Sequence, residues 1–259
     1  MSQIFFIIAT QRSGTTALRS CLNSTDNYFG YGEQFYPSVF DGGFYQSYAR
    51  RISEEQSSIL PMNRMSFYNE YLSTLSARSD KEAIGFDIKY THFDENPNLM
   101  RSVAEAGGSA IHLVRENVLE TFVSSQVMEH RLSTGAIDKS QVHGRSVPPP
   151  VKVELDVAEL VSHLRNRQQR IADIQFAIES YFPSWVYLPY EGLFQSIGST
   201  TQLSTDGRRK IEQTVSVPIQ GIPQTELAKQ IEGGTFEVVS NYDEVSETLR
   251  DTEFAHLAK

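Results

Sequence analysis

The chain has 259 residues, and 23 lysine and arginine residues against 32 aspartate and glutamate residues give a formal net charge of −9. The length suffices for one α/β domain with a substantial buried core. The acidic balance argues against broad binding to nucleic acid or to an anionic membrane. The first apolar run is too short for a membrane span and lacks the flanks of a signal peptide, and the single cysteine, Cys21, excludes an internal disulfide. We therefore expect a cytoplasmic protein.

Predicted strands and helices alternate along the chain. Apolar runs predict strands near residues 3–9, 83–89, 109–115 and 184–188. Apolar residues at helical spacing predict helices over residues 67–77, 98–106 and 155–181. This alternation predicts a single α/β domain over residues 1–259, with a parallel sheet flanked by helices and right-handed crossovers. Ligands of such sheets bind beyond the carboxyl ends of the strands.

The segment that follows the first strand, TQRSGTT at residues 10–16, is the most informative part of the chain. Unpaired backbone N–H groups and the helix dipole at the start of the next helix favour a bound phosphate or sulfate. A nucleoside triphosphatase loop has a lysine after its last glycine, and Thr15 occupies that position here. The basic residue is Arg12, whose guanidinium fork suits one terminal phosphate group, so the pattern disfavours ATP hydrolysis.

A second strand-to-helix junction lies one hundred residues further on. The run SAIHLVR, residues 109–115, has strand character, and residues 116–125 have helical periodicity. In a parallel sheet both junctions lie at carboxyl ends of strands, which is where ligands bind. The net negative charge requires a local basic island for an anionic ligand, and Arg12, Lys89 and Arg115 are its natural candidates.

The segment TQRSGTT resembles the 5′-phosphosulfate loop of sulfotransferases that use 3′-phosphoadenosine 5′-phosphosulfate (PAPS), in the arginine-bearing form of the bacterial trehalose and carbohydrate branch. The resemblance implies the sulfotransferase fold, a P-loop-type parallel β-sheet flanked by helices, with PAPS as co-substrate. No metal is required in principle, because the transferred group carries one charge and side chains can hold the nucleotide phosphates. It also implies that five consecutive residues bind the 5′ phosphosulfate, namely Arg12, Ser13, Gly14, Thr15 and Thr16.

The same resemblance extends to the other end of the nucleotide. A strand-end arginine and a serine on the following helix hold the 3′ phosphate in this family, and Arg115 and Ser124 match that pair. The spacing of nine residues leaves Ser125 as an alternative to Ser124. The segment YEGL at residues 190–193 is similar to the family's Y-E-D-L, which implies that Tyr190 lies near the adenine.

Sulfuryl transfer needs a base for the acceptor hydroxyl and positive charge for the departing bridging oxygen, and we expect Arg12 and Lys89 to supply that charge. His92, in FDIKYTH, resembles the K-T-H segment in which histidine is the base and lysine assists the sulfuryl group. Glu33, in GYGEQFY, resembles the G-E-x-x-E-F-F stretch of the trehalose branch, where a glutamate is the base. Both His92 and Glu33 remain candidates for the catalytic base.

The acceptor is expected to be a small soluble metabolite or sugar, because the sequence shows no secretion or membrane segment. It is expected to be neutral or cationic, because an acidic protein tolerates an anionic acceptor less well. The aromatic and glycine-rich segment 28–45 is a candidate for lining its pocket. Residues 132–154 contain glycines and a triple proline and predict a long loop, either a lid or an insertion without a role. A nucleotide kinase and a non-catalytic nucleotide-binding module are the alternative functions.

Overall fold

A computed structural model of the protein describes residues 1–35, 64–95, 97–136, 151–197, 200–227 and 235–258. The strands in these ranges are β1 (Gln3–Ala9), β2 (Tyr28–Gly30), β3 (Ala83–Lys89), β4 (Ser109–Val114), β5 (Trp185–Pro189), β6 (Phe194–Ile197), β7 (Thr200–Leu203) and β8 (Gln224–Thr225). The helices are α1 (Thr15–Asn23), α2 (Arg64–Arg78), α3 (Tyr90–Glu95), α4 (Leu99–Glu105), α5 (Val118–Ser133), α6 (Val157–Tyr181), α7 (Thr205–Val215), α8 (Thr235–Val238) and α9 (Tyr242–Leu249), followed by a 3-10 turn at Ala255–Ala258.

The central sheet has the order β2-β3-β1-β4-β5, and its neighbouring strands are parallel. This confirms the predicted α/β class with a parallel sheet flanked by helices. Strand β1 lies in the middle and pairs with β3 from Gln3↔Ala83 to Ala9↔Lys89 and with β4 from Phe5↔Ser109. The chain therefore leaves β1 at the place where later strands add to opposite sides, which is the usual ligand position in open α/β sheets.

Alternating side chains of β1 pack on the two faces of the sheet, because successive residues of a strand point to opposite sides. Phe6 and Ile8 join a buried cluster with α2, α4 and α6, whereas Phe5 and Ile7 join another with α1 and α7. A third cluster joins α5, the first half of α6 and α9. The helices thus cover both faces and leave the carboxyl edge of the sheet to the loops.

The four predicted strands and three predicted helices are confirmed, and none of their ends differs by more than three residues. The prediction missed β2, which has only three residues, and α3, whose single turn of six residues starts directly after β3. The three-stranded antiparallel sheet β6-β7-β8 also carries no strong apolar run and was not predicted.

Two predicted segments need correction. Residues 132–154 are not a loop throughout, because α5 continues to Ser133 and Val153 is buried and forms a β-bridge with Val239. Of the segment 28–45, Tyr28 and Phe35 are buried in the core rather than lining a pocket. Residues 36–45 and 137–150 lie outside the described ranges.

A glycine in β3 is required by the close approach of an aromatic ring. A Cβ atom on Gly85 would lie 2.3 Å from Cζ of Phe5, the residue paired with it on β1. We expect Gly85→Ala to lower the free energy of unfolding by about 1–3 kcal/mol through overpacking, as measured by urea denaturation. In a Phe5→Leu background the same substitution should have a smaller effect; an equal effect in both backgrounds would contradict this explanation.

None of the helices in the described ranges has the length and apolar content to cross a membrane.

Candidate functional site

The loop between β1 and α1 is shaped by two left-handed residues. Arg12 has φ 67° and Gly14, the N-cap of α1, has φ 85°. These values turn the chain so that the first N–H groups of α1, which have no partner within the helix, face the loop. A Cβ atom on Gly14 would lie 2.4 Å from a ring carbon of Tyr190, so only glycine fits beneath this ring. The loop is therefore fixed in shape and held against Tyr190.

The five residues predicted to hold the 5′ phosphosulfate are contiguous at the start of α1. Ser13 is completely buried, and its hydroxyl has no hydrogen-bond partner among the described residues. Thr15 is also buried, and its hydroxyl accepts a hydrogen bond from the Lys89 ammonium. The arrangement offers hydroxyl groups, an ammonium group and a helix N-terminus at one place, which is the chemistry of an anion site.

Lys89, Glu33 and His92 lie together at the carboxyl end of β3. Lys89 is the last residue of this strand, and its Nζ atom is 3.8 Å from Oε1 of Glu33. The other carboxylate oxygen, Oε2, is 3.5 Å from Nε2 of His92, on the first turn of α3. The side chain of His92 is 1% exposed, whereas that of Glu33 is 35% exposed. The structure thus joins both candidate bases to the predicted lysine.

The hydrogen bonds of His92 assign its neutral tautomer. The backbone N–H of Lys89 donates to Nδ1 of His92 over 3.3 Å. Since Nδ1 accepts this bond, the ring proton of a neutral His92 is on Nε2 and points toward Glu33. A buried imidazole with both nitrogens engaged has no free lone pair for an acceptor hydroxyl, whereas the carboxylate of Glu33 is partly open.

Burial and the neighbouring groups shift the pKa of Glu33 in opposite directions. Burial raises the pKa of this carboxyl group, but the hydrogen bond from His92 and the charges on Lys89 and Arg19 outweigh it and place the pKa below its ordinary value. Burial lowers the pKa of Lys89, and Glu33 and Asp87 partly offset that effect. Glu33 is therefore a carboxylate, and its negative charge favours the ammonium form of Lys89.

The predicted 3′-phosphate residues lie next to the same loop. The guanidinium Nε of Arg12 donates to the hydroxyl of Ser124 over 3.2 Å, although 112 residues separate them in sequence. Ser125 instead donates to the carbonyl of Thr121 over 3.0 Å, so Ser124 is the serine that faces the loop. Arg115 forms an ion pair with Glu120 on the first turn of α5.

We call the loop with Arg12 and the neighbouring pair Arg115 and Ser124 the cradle. Tyr190 connects these two halves of it. Its ring lies over Gly14, and the guanidinium carbon of Arg115 is 5.2 Å from the ring centroid. This distance corresponds to a cation–π contact. A ring held between the loop and Arg115 places Tyr190 beside both predicted phosphate positions.

A third arginine, Arg131, adds positive charge to the cradle. It lies on α5 seven residues after Ser124, which places it on the same helix face, and it is 3% exposed. Burial, together with the charges on Arg115 and Arg131, lowers the pKa of Arg12 to about 10, so Arg12 remains a cation at neutral pH. No carboxylate among the described residues lies within ion-pair distance of Arg12. The cradle is a region of concentrated positive charge in an acidic protein.

Three charged residues of this region, Asp87, Arg19 and Arg131, were not predicted from the sequence. Asp87 and Lys89 lie on the same face of β3, and Asp87 forms an ion pair with Arg19 of α1 over 2.7 Å. A charged residue inside an otherwise apolar, buried strand was the available signal for Asp87. The helical spacing from Thr15 to Arg19 and from Ser124 to Arg131 was the signal for the two arginines.

A cavity of about 540 Å³ opens beside the loop, between Arg12 and the second half of α5. Gln11, at one side of it, donates a hydrogen bond over 2.8 Å to the hydroxyl of Thr91, the neighbour of His92. This bond connects one wall of the cavity to the residue before His92, whereas Glu33, Lys89 and His92 do not line the cavity themselves. Its lining residues are Gln11, Arg12, Ser125, Met128, Glu129, Leu132 and Ser133. Among the described residues no group of three or more histidine, cysteine, aspartate and glutamate side chains is placed to hold a metal ion.

Comparison with known proteins gives structural similarities alone, since no family model and no curated protein matches the chain. A sulfotransferase from Alicyclobacillus acidocaldarius is similar, with a TM-score of 0.48 and 12% sequence identity over 99% of this chain and 96% of that one. The tunicamycin resistance protein of Deinococcus radiodurans is also similar, with a TM-score of 0.42 and 12% identity over 85% of this chain and 99% of that one. Similarity at this level does not transfer a function to this chain.

Proposed function

We propose that this protein, acting as one domain, is a sulfotransferase that moves a sulfuryl group from PAPS to a hydroxyl group of a small acceptor and releases 3′,5′-adenosine bisphosphate. One observation carries the proposal. The ammonium group of Lys89 donates to the hydroxyl of Thr15, at the start of α1, and lies 3.8 Å from the carboxylate of Glu33. A base beside an anion cradle is the arrangement that transfer of an anionic group to a hydroxyl requires.

We assign the nucleotide to the two basic junctions. Arg12, Lys89 and the first turn of α1, including Thr16, would hold the 5′ phosphosulfate. Arg115 and Ser124 would hold the 3′ phosphate, with Tyr190 against the nucleoside between them. Two orphaned polar groups support this fit, because the Ser13 hydroxyl and Nε of Arg115 are buried without a partner among the described residues.

The residues of the cradle divide the chemical work. When bound, PAPS supplies an activated sulfuryl group on a phosphate leaving group. Glu33 would accept the proton of the acceptor hydroxyl while the acceptor oxygen bonds to sulfur and the bond between sulfur and the bridging oxygen breaks. Lys89 and Arg12 stabilise the negative charge that develops on the bridging oxygen. The Nε2–H group of His92 donates a hydrogen bond to Glu33 and so orients the carboxylate.

The cavity beside Arg12 is our proposed acceptor site. Its volume of about 540 Å³ lies in the range of small-molecule pockets. Met128 and Leu132 offer apolar surface, and the exposed carboxylate of Glu129 disfavours an acceptor that carries negative charge. These features support a small acceptor that is neutral or cationic, such as a sugar or another hydroxylated metabolite. We place the protein nearest to the arginine-bearing trehalose and carbohydrate branch, on the TQRSGTT segment and on Glu33.

Calorimetric titration with 3′,5′-adenosine bisphosphate, ADP and ATP, each with and without magnesium, tests the proposal. We expect the bisphosphate to bind without magnesium and more tightly than either other nucleotide. Arg115→Ala should weaken this binding by about 10- to 100-fold, because it removes charge-assisted hydrogen bonds to the 3′ phosphate.

Arg101→Ala is the matched control, since Arg101 is an exposed residue of α4 that pairs with Glu105. Its binding constants should equal those of the wild type. A preference for magnesium-ATP would favour a kinase and overturn the proposal. Tight binding of the bisphosphate, without its release from PAPS for any acceptor in a broad screen, would indicate a non-catalytic nucleotide-binding module.

A further inference from the structure

We infer that Arg19 is a positioning residue for the proposed reaction: by pairing with Asp87 it keeps Lys89 directed at Thr15 and Glu33. The inference rests on the proposed function and concerns the protein's own charge network behind the reacting groups. Arg19 belongs to α1, one turn after Thr15, and is not expected to touch either substrate.

Asp87 is the competing partner from which Lys89 must be kept. The two residues are two positions apart on β3, so their side chains leave the same face of the sheet. Oδ2 of Asp87 accepts a hydrogen bond from Arg19 over 2.7 Å, while Oδ1 is buried without a partner among the described residues. Asp87 therefore retains a free acceptor close to an ammonium group that the reaction needs elsewhere.

Arg19 also supports the segment that carries Glu33. A Cβ atom on Gly30 would lie 2.4 Å from Cγ of Arg19, and one on Gly32 would lie 2.3 Å from its Nη1 atom. The backbone of this segment thus lies directly on the arginine side chain. It is further fixed by the bond from the Asp87 N–H to the carbonyl of Gly32, 3.0 Å long.

The charges of this network balance only when Arg19 is present. Arg19 is the ion-pair partner of Asp87, and Lys89 lies within ion-pair distance of Glu33. Burial raises the pKa of Asp87, and the charge on Arg19 is the largest effect that opposes this shift. Without Arg19, two carboxylates compete for one buried ammonium group, and an unpaired buried carboxylate is strongly unfavourable. Lys89 would then turn toward Asp87 and leave the bridging oxygen without its cation.

Arg19→Met tests this inference, because methionine keeps an apolar stem against the two glycines and removes the charge. We expect kcat to fall by about 10²-fold, the effect of a misplaced catalytic group, while the dissociation constant of the bisphosphate changes by less than about threefold. The double variant Arg19→Met/Asp87→Asn removes the competing carboxylate as well, so its kcat should recover most of this loss. Arg19→Lys, which keeps the charge, should stay within about tenfold of the wild type.

Two further quantities, the pKa of Glu33 and that of Lys89, would stay unchanged if Arg19 had only a structural role. The groups that face Glu33 are Lys89 from β3, His92 from α3 and Arg19 from α1. Loss of the Arg19 charge should raise the pKa of Glu33, so the acid limb of kcat/KM should move to higher pH in both Arg19→Met proteins. Carbon NMR of the ligand-free protein should show a higher pKa for Lys89 in Arg19→Met than in the wild type, because a neighbouring cation is lost. The pKa of Lys89 in the double variant should be lower than in Arg19→Met, because the Asp87 carboxylate is removed.

The outcomes separate the inference from the proposed function. Wild-type kcat and an unmoved acid limb in Arg19→Met would overturn the inference, as would a folded double variant that recovers no activity. A wild-type protein that neither binds the bisphosphate nor transfers the sulfuryl group would overturn the proposed function instead.

Discussion

Glu33→Gln should lower kcat for sulfuryl transfer by a factor of about 10²–10⁴, the range that loss of a general base produces. Glutamine keeps the length of the side chain, and its amide oxygen can still accept a hydrogen bond from the Nε2–H group of His92. It cannot take a proton from the acceptor. Initial-rate kinetics, with bisphosphate release from PAPS as the measured product, give the effect.

Two controls make this prediction specific. Glu179→Gln changes an exposed glutamate of α6 whose carboxylate accepts a hydrogen bond from Gln175, and its kcat should equal that of the wild type. The bisphosphate dissociation constant of Glu33→Gln should change by less than about threefold, because a base acts in the transition state rather than in nucleotide binding. Turnover near the wild-type rate in Glu33→Gln would remove Glu33 from the mechanism.

The pH dependence of kcat/KM distinguishes Glu33 from His92 as the base. A base must be deprotonated in the free enzyme, and the pKa of Glu33 lies below its ordinary value of 4.5. The deprotonated form therefore persists to lower pH, and the midpoint of the acid limb of kcat/KM should lie below pH 4.5. A histidine base would instead give an acid limb near about pH 6.5. An acid limb in that region would assign the proton transfer to His92.

Much of the cradle could be predicted from sequence because it depends on strand order alone. Parallel strands end at one edge, so the residues that follow β1 and β4 meet there, and Arg12 reaches Ser124 across 112 residues. At both junctions the sequence shows an apolar run followed by helical periodicity. The contact between them required no knowledge of side-chain packing.

The choice between the two bases could not be predicted in the same way. Glu33 reaches Lys89 because the short strand β2 and the residues after it run alongside β3. The N–H of Tyr31 donates to the carbonyl of Gly85. A strand of three residues gives no periodic signal. The role of His92 depends on which nitrogen accepts the Lys89 N–H, and such a hydrogen bond is a property of tertiary structure.

Arg12→Met should stabilise the ligand-free protein and at the same time weaken its nucleotide binding. Burial and the neighbouring cations lower the pKa of Arg12 to about 10, which means that the folded state disfavours the charged form. The resulting destabilisation is fully present below the folded pKa and is relieved as the pH rises through it. At pH 7 the substitution should therefore raise the free energy of unfolding by about 1–2 kcal/mol, after the lost bond to Ser124 is subtracted.

The same substitution removes a desolvated cation from the phosphate cradle, so the bisphosphate should bind at least about 30-fold more weakly. Thermal unfolding with increasing bisphosphate measures both effects, because a ligand stabilises a protein in proportion to the logarithm of its concentration over its dissociation constant. Arg165→Met is the matched control, since Arg165 pairs with Glu253 at an exposed site, and it should alter neither quantity appreciably. A lower unfolding temperature for ligand-free Arg12→Met, or an unchanged affinity, would contradict the prediction. The expected result is a reversal: Arg12→Met is the more stable protein without ligand, and the wild type is the more stable one at saturation, because the strain of clustered cations is relieved by the anion that they bind.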